Sequence, residues 1–381
     1  LDSRYVPGHV RISVISVYGR GTDCPGSLSI RMENDMINRL VWIDTDNTYP
    51  YRNLAMEEYM TLNVPRGTCI LYLWQNRHTV VIGKNQNCWR ECRVNFLEQE
   101  DGYLVRRLSG GGAVFHDLGN LNFTFIAGAE DYNVSRQLDV ILEAVRSLGI
   151  HAEKTGRNDI TVDGRKFSGN AFYRTGDGCY HHGTILIRAD KENMSRYLNV
   201  SKEKLASKGV TSVKSRVANL CEFKPDITLE EVKSALVEAF SRVYGLPAVR
   251  MEEGELPQPD IDALTEKFAS WQWKYGRKIP FEYEMEKRFP WGNIQMQFHV
   301  DAGVIQDVNV FSDAMDQEMI GELAEQLKGC AYAEEDICRA VEALGPDAFQ
   351  AGEAAGEENR ADIPQACRIK EDIKALVRES L

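Results

Sequence analysis

The chain has 381 residues and a formal net charge of −12, with 45 Lys and Arg residues against 57 Asp and Glu residues. Its hydrophobic share of 43 % and charged share of 27 % are those of a globular protein, which excludes collagen-like, coiled-coil and disordered chains. The acidic balance argues against a dedicated nucleic-acid binder. No apolar run approaches the ~18 residues that a membrane helix needs, so we expect neither nucleic acid nor a membrane as a partner.

The length predicts two domains, at about 100–200 residues per domain. Residues 1–35 have little hydrophobic periodicity, and we expect a disordered N-terminal extension there. We predict a large domain over residues 36–278, a linker near residues 277–280, and a small C-terminal domain over residues 281–381, which the resemblance described below makes the catalytic and the accessory domain. The nine cysteines are scattered and form no CxxC pair, which favours reduced thiols in a cytoplasmic protein.

Hydrophobic periodicity predicts the helices and strands of both domains. In chain order these are a strand over 40–44, a helix over 51–62, strands over 69–74 and 79–83, a helix over 94–100, strands over 104–107 and 122–126, a helix over 135–148, a hairpin of 159–162 and 166–173, a strand over 182–187, helices over 229–244 and 261–275, strands over 282–287, 294–300 and 304–311, and helices over 319–328 and 337–344. Because the strands form hairpins with helices clustered between them, we predict an α+β fold rather than regular βαβ alternation.

A glycine-rich loop is the most informative segment of the sequence. It reads Arg106-Arg107-Leu108-Ser109-Gly110-Gly111-Gly112-Ala113-Val114-Phe115-His116-Asp117. Three consecutive glycines stabilise neither neighbouring strand, but they permit close approach of the backbone to an anion. The two arginines could bind a phosphate or a carboxylate in a forked geometry. The pattern is neither a P-loop nor a dinucleotide fingerprint. We therefore favour an anion-binding loop over a plain glycine-rich turn.

A lysine begins the second strand of the predicted 159–173 hairpin. Strict alternation would place Lys166, Ser168 and Asn170 on one polar face of that strand. Asp159 lies on the partner strand, and its hard carboxylate suits Mg²⁺ together with phosphate oxygens. A solvated face for Lys166, and an ion pair of Asp159 with Arg157, are the plain structural alternatives.

The segment that contains the predicted hairpin is basic. Residues 157–216 carry 12 Lys and Arg against 6 Asp and Glu, a net +6 that leaves −18 for the rest of the chain. A basic segment in an acidic chain favours an anionic substrate or an acidic partner surface.

His181 and His182 should point to opposite faces of a strand, so we do not expect a shared metal ion. One of them should hydrogen-bond in the core or line the pocket.

Together these motifs closely resemble the lipoate–protein ligase A family of the biotin/lipoate ligase superfamily. The matching stretches are Leu73-Trp74-Gln75-Asn76, Val81-Ile82-Gly83-Lys84-Asn85-Gln86-Asn87, the glycine-rich loop continued to Asn120, Gly156-Arg157-Asn158-Asp159, Arg165-Lys166-Phe167-Ser168-Gly169-Asn170-Ala171, His181-His182-Gly183-Thr184, residues 208–220, and Trp271-Gln272-Trp273-Lys274-Tyr275-Gly276. The resemblance runs from about residue 40 to the C-terminus and rests on several motifs in the family's order.

The resemblance implies a biotin/lipoate ligase-like mixed sheet with helices and a small C-terminal α+β accessory domain. It implies that lipoate and Mg²⁺-ATP give lipoyl-adenylate and pyrophosphate, after which a lysine of an acceptor protein receives the lipoyl group. The implied acceptors are the apo lipoyl domains of 2-oxoacid dehydrogenase E2 subunits and the glycine-cleavage H protein. Lipoate and octanoate both present a carboxylate on an apolar chain, so either acid satisfies the pattern.

Site residues follow from the resemblance position by position. Lys166 matches the catalytic lysine that holds the carboxylate and the mixed anhydride. The residues implied to bind ATP and lipoyl-adenylate are Arg107, Ser109, Gly110, Gly111, Gly112, Ala113, Val114, Phe115, His116, Asn158, Asp159, Lys166 and His182. Trp74 and Gly83 are assigned to the lipoyl pocket, and Asp159 to Mg²⁺.

Two alternatives remain open at this point. An ATP-independent octanoyl or lipoyl transferase would need an activated cysteine, for which Cys179 is the candidate near the motifs. A non-catalytic lipoyl-domain binder would bind the acceptor without ATP-dependent release of pyrophosphate.

Overall fold

A computed structural model describes residues 37–155, 159–199, 217–345 and 365–381 of the chain. The N-terminal extension expected over residues 1–35 lies outside the described residues, and so does Asn158. Within the described part, no helix is long and apolar enough to cross a membrane.

An eight-stranded mixed sheet forms the centre of the molecule, in the strand order β11-β1-β2-β6-β10-β9-β8-β7. Its strands are β1 (Arg39–Asp44), β2 (Thr68–Trp74), β6 (Asn120–Gly128), β7 (Glu153–Thr155), β8 (Asp159–Val162), β9 (Arg165–Thr175), β10 (Gly178–Leu186) and β11 (Ala248–Arg250). β1 pairs in parallel with β2 and β11, and the remaining pairs are antiparallel. This mixed pairing agrees with the hairpin-rich pattern of the sequence.

Two smaller sheets accompany the main sheet. The first has the order β4-β3-β5, and the second the order β12-β13-β14. Their strands are β3 (Thr79–Ile82), β4 (Tyr103–Arg106), β5 (Val114–His116), β12 (Tyr283–Phe289), β13 (Gly292–Asp301) and β14 (Val304–Ser312). The glycine-rich loop connects β4 to β5.

Helices cover the faces of these sheets. They are α1 (Pro50–Leu62), α2 (Cys88–Glu91), α3 (Val94–Gln99), α4 (Val134–Ser147), α5 (Lys191–Tyr197), α6 (Leu229–Tyr244), α7 (Gln258–Ala269), α8 (Trp271–Tyr275), α9 (Gln317–Leu327), α10 (Glu334–Glu342) and α11 (Gln365–Ser380), with single 3₁₀ turns at Leu220–Glu222 and Glu253–Glu255. Two of these helices begin at strong caps, since Thr228 forms a capping box with Glu231 before α6 and Asn133 accepts from the Arg136 amide before α4.

The two faces of the main sheet have separate cores. One face packs against α4 and α6 through Phe123, Phe125, Ile141 and Phe240. The opposite face packs against α1 and α7 in a second cluster that contains Tyr72, Trp74 and Leu54. Because α1 covers only part of this second face, the β4-β3-β5 sheet packs beside it through Val81 and Val105. We call this second face the site face.

The predicted α+β class is confirmed, with the large mixed sheet, the helices and the C-terminal three-stranded sheet all present. The C-terminal sheet has its own core, in which Met296, Phe298 and Ile320 are fully buried. The single helix predicted over 261–275 is wrong. The chain breaks at Ser270, whose side chain accepts from the Trp273 amide and starts the short helix α8.

Candidate functional site

The glycine-rich loop is held from inside by Arg107. The Arg107 side chain is 5 % exposed, and its guanidinium donates to the carbonyls of Gly110 (2.6 Å) and Gly112 (2.9 Å) and to Ser109 Oγ (2.9 Å). Burial lowers the pKa of Arg107 to about 10. The guanidinium N–H groups that the sequence suggested would bind an anion therefore bind carbonyl and hydroxyl oxygens of the loop itself. Arg107 in this way fixes the conformation of the loop.

Arg106 has a similar role toward the neighbouring segments. Its guanidinium donates to the carbonyls of Gln86 (2.7 Å), Lys84 (3.0 Å) and Lys274 (2.8 Å). Trp273 Nε1 in turn donates to the Arg106 carbonyl at 2.8 Å. Arg106 thus ties the loop's first strand to α8, the helix that precedes the C-terminal sheet.

The glycines are required because other backbone lies against them. A Cβ on Gly110 would lie 2.5 Å from the carbonyl oxygens of Ala314 and Met315, and a Cβ on Gly83 would lie 2.3 Å from the Gly111 oxygen. Gly111 has φ +87° and donates its amide to the Ala314 carbonyl at 3.0 Å. The C-terminal part of the chain therefore contacts the glycine-rich loop through main-chain atoms.

The other residues of the motif fall on two sides of the β4-β3-β5 sheet. Val114 packs toward the site face, whereas Phe115 and Ala113 pack on the opposite side with Cys88 and Tyr197. The structure therefore brings Val114 near Trp74 and separates Phe115 and Ala113 from that group.

A buried carboxylate joins the glycine-rich loop to the main sheet. Glu57, on α1 and 1 % exposed, accepts from Thr124 Oγ1 at 2.7 Å and pairs with His182 Nδ1 at 2.9 Å. The other ring nitrogen of His182 lies 2.8 Å from Ser109 Oγ. Since Nδ1–H donates to the carboxylate, Nε2 accepts from the serine hydroxyl. Trp74 Nε1 donates to Thr124 Oγ1 at 3.0 Å, which extends the network to the indole.

Sequence reasoning missed Glu57. The available signal was its position in the sequence, since Glu57 falls on the same face of the predicted helix as the apolar residues Leu54, Met56 and Met60, which are all buried. A carboxylate on the apolar face of a helix must find partners inside the protein.

The two adjacent histidines point to opposite faces, as predicted. His182 lies on the site face, while His181 is fully buried on the other face, between Asn170 Oδ1 (2.8 Å) and Gln137 Oε1 (3.2 Å). Burial lowers the pKa of His181 to about 3, and a neutral ring donates to only one of these two oxygens.

His116 is the end of a third buried network. Its Nδ1 lies 3.3 Å from Asn76 Nδ2, and Asn76 Oδ1 accepts from Asn53 Nδ2 at 3.0 Å. Its ring lies edge-on to the Trp74 indole, with the centroids 6.4 Å apart. Burial, reinforced by the charge of Arg107, lowers the pKa of His116 to about 3.

Lys166 and Asp159 form an ion pair, with Nζ and Oδ1 2.5 Å apart. The predicted common face of Lys166, Ser168 and Asn170 is wrong. Thr161 pairs with Lys166 while Ile160 pairs with Ser168, so Phe167 is the extra residue of a β-bulge. The bulge leaves Ser168 and Asn170 on the α4 side and turns the Lys166 ammonium to where a Cβ of Gly169 would lie, at 2.6 Å.

One cross-strand row connects these groups. Asp159 pairs with Gly169, Gly169 with Thr184, Thr184 with Asn122, and Asn122 with Trp74. Directly paired residues share a face, so the row crosses five strands on the site face and spans about 19 Å at about 4.8 Å per strand. Trp74 and His116 lie at one end of the row, and Lys166 with Asp159 lies at the other. His182, bonded to Ser109, lies on β10, the middle strand of the five.

Comparisons with known proteins show which family the chain resembles. A family model described as "Lipoyl protein ligase A/B catalytic domain" matches residues 49–241, and another, "Bacterial lipoate protein ligase C-terminus", matches residues 278–355. P. falciparum LipL1, solved in complex with lipoate, is 28 % identical with a TM-score of 0.72, covering 88 % of this chain and 99 % of LipL1.

Two further solved structures are similar over a smaller share of the chain. The bi-partite lipoate protein ligase of Thermoplasma acidophilum, studied with its E2 lipoyl domain, is 25 % identical with a TM-score of 0.55, covering 63 % of this chain and 98 % of the other. A lipoate-protein ligase A bound with ATP is 24 % identical with a TM-score of 0.54, covering 62 % and 98 %, and supports the fold alone. The first family model covers more than half of the chain, and the chain therefore belongs to the lipoyl protein ligase A/B family of enzymes.

Proposed function

We propose that this protein is an ATP-dependent lipoate–protein ligase. In the first step a lipoate carboxylate oxygen attacks the α-phosphorus of ATP, the bond to the β-phosphate breaks, and pyrophosphate leaves. In the second step the uncharged amine of an acceptor lysine attacks the carbonyl carbon of the adenylate, the bond to the AMP oxygen breaks, the amine nitrogen loses a proton to solvent, and an amide forms. Negative charge develops on the phosphoryl oxygens and the leaving pyrophosphate in the first step, and on the carbonyl oxygen and the leaving AMP in the second. A fixed cation beside the bond between the acyl group and the phosphate would stabilise the charge in both steps.

The observation that carries this proposal is the row from Trp74 to Asp159. One end has an apolar, aromatic environment in which Trp74 is 3 % exposed and lies against Tyr72 with the rings 5.8 Å apart. The other end has the Lys166 ammonium. An acid with an apolar chain fits such a row, with its tail at the indole and its carboxylate at the ammonium, where the nucleotide must also bind.

Lys166 is proposed as the catalytic residue of both steps. Its partly buried ammonium would bind the carboxylate and then the oxygens of the mixed anhydride. The hydrogen bonds that join Ser109 to His182 and His182 to Glu57 would hold the glycine-rich loop in place over the main sheet during both steps. We carry the same proposal for Arg107, the three loop glycines, Ala113, Val114, Phe115, His116, Asn158 and Asp159 in ATP and adenylate binding, and for Gly83 in the lipoyl pocket.

Magnesium is proposed to bind at Asp159. Among residues 37–155, 159–199, 217–345 and 365–381, no group of three or more His, Cys, Asp and Glu side chains could hold a metal ion. Asp159 would therefore supply one oxygen ligand, and the phosphates of the nucleotide and water would supply the others, as is usual for this cation.

The thioester alternative finds little support at Cys179. This thiol lies on β10, is 1 % exposed, and burial raises its pKa to about 11. A nucleophilic cysteine needs the opposite, an accessible thiol with a lowered pKa. The ATP-dependent reaction is therefore favoured over a transferase that uses Cys179.

The proposed acceptors are apo lipoyl domains of 2-oxoacid dehydrogenase E2 subunits and the glycine-cleavage H protein. Support comes from the Thermoplasma acidophilum ligase, which was studied with its E2 lipoyl domain.

The described cysteines are free thiols, which supports a reducing compartment such as the cytoplasm. We also propose catalysis by residues 36–278 and an accessory role for residues 281–381.

Mass spectrometry of an apo lipoyl domain tests the proposal. The domain is incubated with the protein, Mg²⁺, lipoate and either ATP or no nucleotide, and pyrophosphate is measured in parallel. We expect a lipoyl adduct on one lysine and an equal amount of pyrophosphate only with ATP. In a parallel incubation, an acyl thioester replaces lipoate and no ATP is added; an adduct there would support the transferase. Acceptor binding with no adduct and no pyrophosphate in either incubation would support a non-catalytic binder.

A further inference from the structure

The main chain of Lys166 is held on both of its edges. On one edge Lys166 pairs with Thr161 of β8. On the other edge the ladder that joins β10 to β9 ends at Ser168. Beyond that point Val217 forms a parallel bridge with Lys166, and the Ala218 amide donates to the Lys166 carbonyl at 2.9 Å. A distant segment of the chain therefore takes the place of β10 beside Lys166.

Asn219 anchors this segment to the chain that leaves β10. Its side chain is buried. Asn219 Oδ1 accepts from the Ala189 amide at 3.0 Å, and Asn219 Nδ2 donates to the Ala189 carbonyl at 2.9 Å. The Cys221 amide adds a hydrogen bond to the Ile187 carbonyl at 3.1 Å. Residues 217–221 thus fill the gap between the start of β9 and the chain after β10.

Glu222 joins the end of this segment to β9. Its Oε1 accepts from the Asn219 amide at 2.7 Å and from Lys191 Nζ at 2.5 Å, and its Oε2 accepts from Arg165 Nη1 at 2.7 Å. Burial raises the pKa of this carboxyl, but the Asn219 amide, Lys191 and Arg165 together lower it to about 2. Because Arg165 directly precedes Lys166, the ionised Glu222 binds β9 next to the residue that carries the ammonium.

These contacts matter because the rate depends on where the ammonium lies. Under the proposed function, on which this step rests, Lys166 stabilises charge on the reacting oxygens, and a displacement of about 1 Å can cost about 10²-fold in rate. The pair with Asp159 orients the end of the side chain. We propose that Asn219 and Glu222 form a clamp that positions Lys166 for the reaction. Both act through the Lys166 main chain and through Arg165, so they are positioning residues and not catalytic ones.

A double-mutant cycle with Lys166→Ala separates positioning from a general structural role. Glu222→Gln removes the charge that holds Arg165 while keeping the size of the side chain. We expect it to lower kcat/KM for lipoate-dependent pyrophosphate release about tenfold. In the Lys166→Ala background the same substitution should change the rate less than about twofold, because it acts through the removed ammonium. An equal loss in both backgrounds would overturn the proposal.

Glu231→Gln is the matched control for this cycle. Glu231 also accepts from the amide of a capping residue, Thr228 at 2.8 Å, and also pairs with a lysine, Lys224 at 3.2 Å, but it lies at the start of α6. We expect wild-type kcat/KM in this variant. A loss as large as that of Glu222→Gln would show a general effect of a broken capping box and contradict the clamp. Arg165→Gln breaks the same pair from β9 and replaces Glu222→Gln in the cycle if that variant does not fold.

Competitive labelling of lysines tests the clamp without turnover. Trace acetylation of the whole folded protein with acetic anhydride, followed by peptide mass spectrometry, gives the labelling of Lys166 relative to Lys154. We expect Glu222→Gln to raise this ratio at least about threefold, because the start of β9 opens more often. Glu231→Gln should leave the ratio at the wild-type value. An unchanged ratio in Glu222→Gln contradicts the clamp.

The clamp and the proposed function fail separately. A wild-type protein that releases no pyrophosphate with lipoate and ATP contradicts the proposed function, and the labelling ratio then decides the clamp alone. A wild-type protein that ligates lipoate, but in which Glu222→Gln causes the same loss with and without Lys166, keeps the proposed function and contradicts the clamp.

Discussion

Asp159 and Trp74 occupy the two ends of one row of paired residues, on the same face of the main sheet and four strand spacings apart. The row places an ion pair at one end and a buried indole at the other. Between them lie Gly169, Thr184 and Asn122, and the Lys166 ammonium lies over Gly169, where a Cβ would come within 2.6 Å of it.

Lys166→Ala should reduce lipoate-dependent pyrophosphate release about 10²–10³-fold, because it removes the cation that stabilises the developing charge. The protein should still fold, since the Lys166 side chain is part-exposed. Lys154→Ala is the matched control, because it breaks another Lys–Asp pair of the same hairpin region, with Asp139 at 2.7 Å. Wild-type rates in Lys166→Ala would contradict the assigned role.

Glu57→Ala should lower the free energy of unfolding by about 2–4 kcal/mol, because it leaves the buried donors of Thr124 and His182 without their acceptor. Glu57→Gln keeps an oxygen in place and should cost about 1 kcal/mol. Urea unfolding measures both values. Glu143→Ala, which breaks the exposed pair with Arg242, should cost less than about 1 kcal/mol, and a comparable loss in both alanine variants would argue against the network.

Gly110→Ala should disrupt the contact between the glycine-rich loop and the Ala314 segment, because its methyl group would lie 2.5 Å from two carbonyl oxygens. We expect a loss of about 1–3 kcal/mol in urea unfolding and faster amide exchange at Gly111. Gly321→Ala, in α9 with no atom within 4 Å of the added Cβ, should be neutral or stabilising. Unchanged exchange at Gly111 would count against a tight contact.

Lys84→Met should reveal a pH dependence of stability. Burial, together with the charges of Lys267 and Arg106, lowers the pKa of Lys84 from 10.5 to about 8, above the Trp273 ring. Below pH 8 Lys84 is protonated in both the native and the unfolded state, and burial of the charged ammonium lowers the stability of the native state. Between pH 8 and 10.5 the unfolded state binds more protons, so wild-type stability gains with pH.

The stability advantage of Lys84→Met over the wild type should therefore shrink as the pH rises from 8 toward 10.5. Urea unfolding at several pH values measures it, with the exposed Lys278→Met as control. A difference that stays constant over this range would show that Lys84 is ionised normally in the folded protein.

Cys179→Ser should retain nearly all ligation activity, because a buried thiol with a pKa raised to about 11 does not supply a thiolate at neutral pH. Alkylation of the folded protein at pH 8, followed by peptide mass spectrometry, should modify exposed Cys367 before Cys179. A collapse of activity in Cys179→Ser would favour the thioester route.

The motifs named many of the residues that the structure brings together on the site face. The hydrogen bonds between them depend on packing between distant parts of the chain. Hydrophobic periodicity located most strands, and the alternation of a strand correctly separated His181 from His182. Glu57 was missed because its partners are 67 and 125 residues away. Three-residue strands such as β5 and β7 carry too short a pattern to be recognised, and the contact of Gly111 with Ala314 leaves no side-chain signal in the sequence.

The extra residue at Phe167 has a consequence for how this protein tolerates insertions and deletions. It divides β9 into two segments of opposite phase, so that Lys166 serves one face while Ser168 and Asn170 serve the other. Deleting Phe167 would remove the bulge and place Lys166 directly before Ser168, so alternation would keep the ammonium on the site face. One residue inserted into β8 between Ile160 and Thr161 would instead pair with Phe167, restore uniform alternation along β9 and carry the ammonium to the α4 side, while leaving every motif residue in the chain.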